Sequence, residues 1–319
     1  MRAYRIETVG AKPQIVECNR PDPGPGTVLL RIAACGLNFA DLLMLEGKYQ
    51  EKPPLPLTPG IEMAGTVEAL GEGVDPALLG RRVAAFAQSG GLAEYGCVPA
   101  DRCVVIPEAM SLVHAAAFQV AYGTSHVALA HKAHLRRGET LLVLGAAGGV
   151  GLTAVEIGKL MGARVIACAR GPGKLTVAAA KGADHLIDSE AEDIRTAVLA
   201  LGGADVVYDP VGGAQFKAAF RACNPEARIL VIGFASGEVP QIPANHLLVK
   251  NISVIGEYWG GYMAFRPKVL TDSLAQLFAW FEQGRLHPHV SHEMPLARAD
   301  EALELLRARK STGKVVITM

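Results

Sequence analysis

The chain has 319 residues, half of them apolar and about a fifth charged, and this length and composition predict about two globular domains. Its 31 basic and 31 acidic residues give zero net charge, so the composition favours neither nucleic acid nor a membrane surface as a partner. Six scattered cysteines, without a Cys-x-x-Cys pair, indicate reduced thiols and argue against a disulfide framework.

The first hundred residues alternate short apolar runs with turns rich in proline and glycine. The N-terminal segment carries no apolar run of the kind found in signal peptides, so we expect a cytoplasmic protein. Proline and glycine cluster at 21–26, 52–60 and 71–76. Between and after these turns, strands are predicted at 28–34, 64–70, 81–87 and 102–107. This part of the chain is therefore expected to be rich in β-structure.

From about residue 135 the pattern changes to strands alternating with helices. Strands are predicted at 140–144, 164–168, 185–187, 205–208, 228–232 and 252–258, and helices at 174–181, 190–200 and 213–222. This alternation predicts an α/β fold with a doubly wound, parallel, six-stranded sheet. The tail adds helical segments at 269–283 and around 299–309, then a strand at 314–318. Because that strand has no βα partner, we expect it to return to the first domain.

A glycine-rich turn follows the first of these parallel strands. Ala146, Gly148 and Gly151 occupy the three positions of a dinucleotide-binding fingerprint, between an apolar strand and a helix at 150–161. The next strand ends in a small residue followed by Arg170 and Lys174, where an acidic residue would bind a ribose 2′-hydroxyl. These features indicate a nicotinamide cofactor site that prefers NADPH. The structural alternatives are a buried glycine-rich hairpin for the turn and an exposed pair of charges for Arg170 and Lys174.

Several segments resemble the zinc-free branch of the medium-chain dehydrogenases/reductases, over essentially the whole chain. They include CGLNFADLLMLEGKY at 35–49, PLTPGIEMAGTV at 56–67, VVYDPVGG at 206–213, LLVKNISVIGEYWG at 247–260 and TGKVVI at 312–317. The resemblance is strongest to NADPH:quinone oxidoreductases of the zeta-crystallin type, with enoyl-thioester reductases as close relatives. It implies a GroES-like catalytic domain at 1–118 and 261–319, and a Rossmann NADPH-binding domain at 119–260.

Two motifs depart from those of zinc alcohol dehydrogenases. Asn38 stands where those relatives carry a cysteine ligand, and Ile61 stands where they carry a histidine. Zinc requires three or four cysteine, histidine or carboxylate ligands, so no metal is expected.

The resemblance also implies site residues. Asn38, Asp41 and Tyr49 match positions near the nicotinamide or the substrate, with Tyr49 as candidate proton donor and Asn38 as candidate amide donor to the acceptor. Asn38 as a turn residue, Asp41 as a helix-start acid and Tyr49 as a loop residue are the structural alternatives. The implied cofactor-binding residues are Thr124, Ala147, Gly148, Gly149, Val150, Gly151, Arg170, Lys174, Phe234, Ser236 and Tyr258. Ser189 stands where some relatives place a tyrosine against the adenosine phosphate, so fewer contacts to this phosphate are expected here.

The implied function is a zinc-independent, NADPH-dependent quinone reductase that transfers hydride from nicotinamide C4 to a quinone or conjugated carbonyl. Reduction of an enoyl thioester or another α,β-unsaturated carbonyl is the alternative, and a non-catalytic NADPH-binding protein is a third. The expected partners are a small-molecule substrate and a second copy of the chain, without nucleic acid or membrane. The dimer would form through the strand at 252–258, an edge strand rich in β-branched residues.

Overall fold

The computed structural model describes all 319 residues, which form two compact units. The first unit comprises Met1–Val120 and Pro288–Met319, and the second comprises Ala121–His287. The first boundary therefore lies near the expected position, whereas residues 261–287 belong to the second unit and not to the first. The reason is a long amphipathic helix in this segment, whose residues Leu270, Leu274 and Leu277 are buried.

The secondary structure, numbered in chain order, consists mostly of short strands and helices. The strands are β1 (Arg2–Arg5), β2 (Gln14–Glu17), β3 (Thr27–Gly36), β4 (Glu62–Leu70), β5 (Arg82–Phe86), β6 (Tyr95–Pro99), β7 (Cys103–Val105), β8 (Thr140–Leu144), β9 (Arg164–Ala169), β10 (His185–Asp188), β11 (Ala204–Asp209), β12 (Cys223–Val231), β13 (Ser253–Gly256), β14 (Val290–Pro295) and β15 (Lys314–Thr318). The α-helices are α1 (Phe39–Leu45), α2 (Leu112–Ala116), α3 (Gln119–His126), α4 (Gly149–Leu160), α5 (Gly171–Ala180), α6 (Ile194–Ala200), α7 (Gly213–Arg221), α8 (Ala244–Lys250), α9 (Tyr262–Phe265), α10 (Pro267–Glu282) and α11 (Ala299–Arg307). A π-helical stretch, Val127–Lys132, continues α3.

The first unit is built on a seven-stranded sheet. Its order is β14-β15-β3-β4-β5-β7, with β6 paired antiparallel to the first half of β3, and β1 and β2 form a separate hairpin. The C-terminal strand β15 pairs antiparallel with β3, with Ile317 opposite Cys35. The C-terminal strand therefore returns to the first unit as expected. Val28, Leu30 and Ile32 of β3 pack in a core with Met63 and Val67 of β4.

The second unit contains a six-stranded parallel sheet in the order β10-β9-β8-β11-β12-β13. This is the doubly wound order of a Rossmann fold, in which β8 and β11 flank the point where the chain reverses direction across the sheet. All five residues of β8 are buried, as a central parallel strand requires. Each of the six strands predicted from the sequence corresponds to one of these, and the predicted fold class is confirmed.

The tail helix α10 is held in the second unit by its apolar face and by one polar contact. The Nδ1 atom of His126, at the end of α3, lies 2.8 Å from the Ser273 hydroxyl, and the His126 ring also meets Trp280 edge to face. Burial lowers the pKa of His126 to about 4, so the ring is neutral at physiological pH. No helix in the structure has the length and apolar character needed to cross a membrane.

Candidate cofactor and catalytic sites

The turn between β8 and α4 allows very close backbone approach. A β-carbon on Gly151 would lie 2.2 Å from the carbonyl oxygen of Gly145, so only glycine fits at this position. Ala146 and Ala147 are buried beneath the turn. These are the properties that a dinucleotide fingerprint requires, namely a tight turn and close packing of helix against strand.

The N-terminus of α4 presents unsatisfied backbone donors. The N-cap is Gly148, which has no side chain to bond the first turn, and no side-chain cap is present. The first-turn N–H groups of Gly149, Val150 and Gly151 therefore have no partner within the helix. Together with the helix dipole, such groups form an anion-binding site that suits a diphosphate. The predicted residues Ala147 to Gly151 thus lie together at the carboxyl end of β8.

Arg170 and Lys174 lie at the start of α5, just after β9. Arg170 is the N-cap of α5, and its guanidinium lies 4.0 Å from the Glu190 carboxylate in a largely exposed ion pair. A β-carbon on Gly171 or Gly173 would meet nothing within 4 Å, so space is open beside these cations. The arrangement suits a 2′-phosphate, although Glu190 competes for Arg170. Sequence reasoning missed that competition, because an ordinary surface glutamate gives no signal.

The remaining predicted cofactor residues lie on α3 and on loops at the carboxyl edge of the sheet. Thr124 is a buried residue of α3, whereas Phe234 and Tyr258 are substantially exposed. The loop that follows β12 is fixed to the one that follows β11, since the Ser236 backbone N–H donates to the Val211 carbonyl at 2.9 Å. Ligands of doubly wound sheets bind outside this carboxyl edge. The Ser189 hydroxyl is buried without a hydrogen-bond partner and offers no phosphate contact.

Glu257 is a second residue that sequence reasoning missed. It follows β13, is only 8% exposed, and neither of its carboxylate oxygens has a hydrogen-bond partner. Burial raises the pKa of Glu257 to about 7, against the opposing charge of Lys132. The available signal was an acidic residue within the otherwise largely apolar strand predicted at 252–258.

In the first unit, Asp41 is fully buried and accepts two backbone N–H groups. It occupies the third position of α1, where Oδ2 accepts from the backbone of the N-cap residue Asn38 at 2.8 Å. Its Oδ1 accepts from the backbone of Gly60 at 3.0 Å. Burial raises the pKa of Asp41 to about 6, although both N–H donors oppose the shift. The bond to Asn38 is the one that a third-position acid makes in a capping box, and the bond to Gly60 joins the helix start to the loop before β4.

The Asn38 side chain belongs to a buried polar cluster with Glu62 and Lys314. Lys314 Nζ donates to Asn38 Oδ1 at 2.7 Å and to Glu62 Oε2 at 2.9 Å. Asn38 Nδ2 in turn donates to Glu62 Oε2 at 3.2 Å and to the Gly36 carbonyl at 3.1 Å. The other Glu62 oxygen accepts from the Val120 backbone at 2.8 Å. Both amide hydrogens of Asn38 are therefore engaged within the protein and are not directed to an acceptor molecule.

Cys35 lies near the charges of this cluster, and Tyr49 follows α1 in the sequence. Tyr49 is half-buried after α1, packs against the core that contains Leu42 and Leu45, and donates its backbone N–H to the Leu43 carbonyl. Cys35 is fully buried, and burial with the nearby charges of Asp41 and Glu62 raises the pKa of its thiol well above the usual range. A thiol in this environment is a poor nucleophile. No group of three or more His, Cys, Asp or Glu side chains is arranged to hold a metal ion.

Comparison with known proteins agrees with this geometry. The family profile described as alcohol dehydrogenase GroES-like domain matches residues 24–108, and the profile described as zinc-binding dehydrogenase matches residues 149–276. A relative from Nematostella vectensis, quinone oxidoreductase-like protein 2 homolog, is 41% identical over 324 aligned positions, which cover 99% of this chain and 88% of the relative.

Two crystal structures show the same fold. The quinone oxidoreductase from Thermus thermophilus, described also in complex with NADPH, is 33% identical, with a TM-score of 0.88 and 100% coverage of both chains. The Escherichia coli quinone oxidoreductase complexed with NADPH is 27% identical, with a TM-score of 0.91 and coverage of 100% of this chain and 99% of that one. These likenesses confirm the resemblance seen in the sequence: the chain belongs to the quinone oxidoreductase family of the medium-chain dehydrogenases/reductases.

Proposed function

We propose that this chain is an NADPH-dependent reductase that acts on a quinone or a conjugated carbonyl compound. The observation that carries the proposal is the open, basic start of α5 beside an uncapped α4 N-terminus, in a chain 33% identical to an oxidoreductase described in complex with NADPH. The experiment is a steady-state screen of quinones, enones and enoyl-CoA thioesters, with NADPH and NADH in parallel. Saturable oxidation of NADPH with at least one acceptor supports the proposal.

The residues of the second unit fit NADPH in three places. The backbone N–H groups of Gly149, Val150 and Gly151 would bind the diphosphate, and Arg170 with Lys174 would bind the 2′-phosphate, which carries a charge of about −2. Thr124, Phe234, Ser236 and Tyr258 would line the remainder of the cofactor. When bound, the dihydronicotinamide ring supplies a hydride from C4.

The residues of the first unit would position the acceptor and supply a proton. We assign proton donation to the phenol of Tyr49, which can neutralise the oxyanion or enolate left after reduction. Asn38 and Asp41 act here as positioning residues, because their hydrogen-bonding groups are engaged by Lys314, Glu62 and the backbone. Lys314 fixes the Asn38 amide in one orientation and neutralises a carboxylate that is fully buried.

Zinc independence is part of the proposal. Asn38 and Ile61 replace a cysteine and a histidine of the zinc alcohol dehydrogenases, and the Lys314 ammonium already provides a positive charge against Asn38 and Glu62. Exhaustive dialysis against a chelator should leave the rate of NADPH oxidation unchanged. A loss of activity that added Zn²⁺ restores would contradict this part.

Reduction of an enoyl thioester is the alternative, favoured by the match of Tyr49 to the tyrosine of those reductases. Because it shares the hydride chemistry and the cofactor residues with quinone reduction, only the acceptor screen distinguishes the two. A non-catalytic NADPH-binding protein would bind the cofactor but would not oxidise it with any acceptor in the screen.

We also propose a cytoplasmic location, supported by six free cysteines, and cell fractionation tests it.

We further propose a homodimer formed through β13. This strand ends the six-stranded sheet and pairs on one side only, with β12. Leu248 and Val249 of α8, the helix that leads into β13, are 78% and 79% exposed. Unpaired strand edges and exposed apolar side chains favour association. Analytical ultracentrifugation should show a dimer at micromolar concentration, weakened by Val249→Asp, and a monomer would contradict the proposal.

A further inference from the structure

A cavity of about 220 Å³ lies in the first unit, and none of its lining residues is assigned to the cofactor or the acceptor. Its wall includes β6, the end of the β1–β2 hairpin and the loop segments around Thr58 and Ser89. The lining residues belong to Met1–Val120, whereas the cofactor residues assigned above belong to Ala121–His287. This cavity is therefore a separate feature of the fold.

The cavity contains an arginine without a partner. Arg5, in β1, forms no ion pair or hydrogen bond through its side chain, and its Nε is buried without a partner. Three other arginines of the same unit have carboxylate partners: Arg2 pairs with Glu94 at 2.8 Å, and both Arg20 and Arg31 pair with Glu68, at 2.9 and 2.7 Å. A buried donor without a partner destabilises the fold, and does so more strongly when the group is charged. Arg5 thus lacks the carboxylate partner that these three arginines have.

Neutral hydrogen-bonding groups surround the same space. The hydroxyls of Thr58 and Ser89 and the amide of Asn19 line the cavity, and none of these side chains forms a hydrogen bond within the protein. A β-carbon on Gly90 would meet nothing within 4 Å, so the loop leaves the space open. No aspartate or glutamate lines the cavity. Asp22 acts on one lining residue, since its charge adds to burial in raising the pKa of Cys97.

We propose that this cavity binds a small oxyanion, a carboxylate or a phosphate group, through Arg5. A guanidinium matches the geometry of these groups and forms two parallel hydrogen bonds with them. The hydroxyls of Thr58 and Ser89 can donate to the remaining oxygens. Drug-sized ligands occupy pockets of about 300–1,000 Å³, so a cavity of 220 Å³ suits a single small anion or the end group of a larger molecule.

Isothermal titration of the full chain tests this proposal. Inorganic phosphate and acetate are titrated separately at constant ionic strength, into the wild type and into Arg5→Gln. Saturable binding of at least one anion, weakened at least tenfold in Arg5→Gln, supports the proposal, and the anion that binds identifies the class. Phosphate that binds at other sites contributes equally to the wild type and to Arg5→Gln, so the difference between the two titrations reports binding in this cavity.

The matched control is Arg31→Gln, which removes an exposed arginine of the same unit that already has a carboxylate partner. It should bind the anion as the wild type does. If Arg5→Gln folds poorly, the pair Thr58→Val and Ser89→Ala replaces it and should also weaken binding. No saturable binding of either anion, or equal binding in wild type and Arg5→Gln, would overturn the proposal. Neither outcome depends on whether NADPH binds or reacts.

Discussion

The ammonium group of Lys314 lies 2.7 Å from the amide oxygen of Asn38 and brings the last strand of the chain to the start of α1. The same ammonium lies 2.9 Å from Glu62, whose side chain is fully buried. A charge in such a place is tolerated only when it is paired and fully hydrogen-bonded. Lys314 therefore controls both the stability of this cluster and the orientation of Asn38.

Lys314→Met should destabilise the protein by about 3–5 kcal/mol, because it leaves the Glu62 carboxylate buried without its cation. Chemical denaturation measures the change. The double variant Lys314→Met/Glu62→Gln should regain much of the loss, since no uncompensated charge remains. The control Lys268→Met breaks an exposed pair with Asp272 and should change stability by less than about 0.5 kcal/mol. Equal losses in the two single variants would contradict the assigned role of Lys314.

Much of this fold could be predicted from the sequence, but the Lys314 cluster could not. Strand β8 and the C-terminal strand β15 have the predicted bounds, because continuous apolar runs between turn signals are strong local patterns. The short strands β1, β2 and β6 give no such pattern. The contact between Lys314 and Glu62 joins residues 252 positions apart, and no local signal reports so distant a pairing.

The expectation that residues 261–287 belong to the first domain was wrong for a related reason. The amphipathic pattern predicted helix α10 correctly, but periodicity does not say which core an apolar face covers. The cofactor turn was predictable because its chemistry depends on consecutive residues, from Ala147 to Gly151. The engaged amide of Asn38 was not, because its partners come from β4 and β15.

Arg170 should determine the preference for NADPH over NADH. Arg170→Ala should weaken NADPH binding about tenfold or more, since a charge-assisted hydrogen bond contributes about 1.5–3 kcal/mol, and should leave NADH binding unchanged. Fluorescence titration of both cofactors measures this. Glu190→Gln is the converse test: loss of the competing carboxylate 4.0 Å from Arg170 should strengthen NADPH binding by a few fold. Parallel losses for both cofactors in Arg170→Ala would contradict the assignment.

Glu257 should make the protein less stable as the pH rises. The pKa of this carboxyl is raised from 4.5 to about 7, so the folded state retains a proton that the unfolded chain releases between these values. The stabilising contribution is complete below pH 4.5 and is lost as the pH rises through 7, by on the order of 3 kcal/mol.

Glu257→Gln should remove that part of the pH dependence and make the protein more stable than the wild type at pH 8. Denaturation curves between pH 5 and 8 measure the effect. Glu282→Gln, at an exposed position in the last turn of α10, is the matched control and should leave the wild-type pH dependence intact. An unchanged pH dependence in Glu257→Gln would show that another group titrates.

Tyr49→Phe tests the proposed proton donor. If the phenol supplies the proton, kcat for a conjugated carbonyl or enoyl thioester should fall by about 100-fold or more, with little change in the affinity for NADPH. Stopped-flow measurement with a saturating cofactor separates the two effects. Because Tyr49 also packs against the core, far-UV circular dichroism must show that the variant is folded. A wild-type rate would exclude the phenol as donor.

The most direct test of the central claim is the value of kcat/KM for NADPH and for NADH with saturating 1,2-naphthoquinone, measured side by side on the wild-type protein. We expect saturable oxidation of NADPH, with kcat/KM at least tenfold higher than for NADH. NADPH binding without turnover on this or any quinone, enone or enoyl-CoA thioester would contradict an enzymatic function. A preference for NADH would contradict the role given to Arg170 and Lys174.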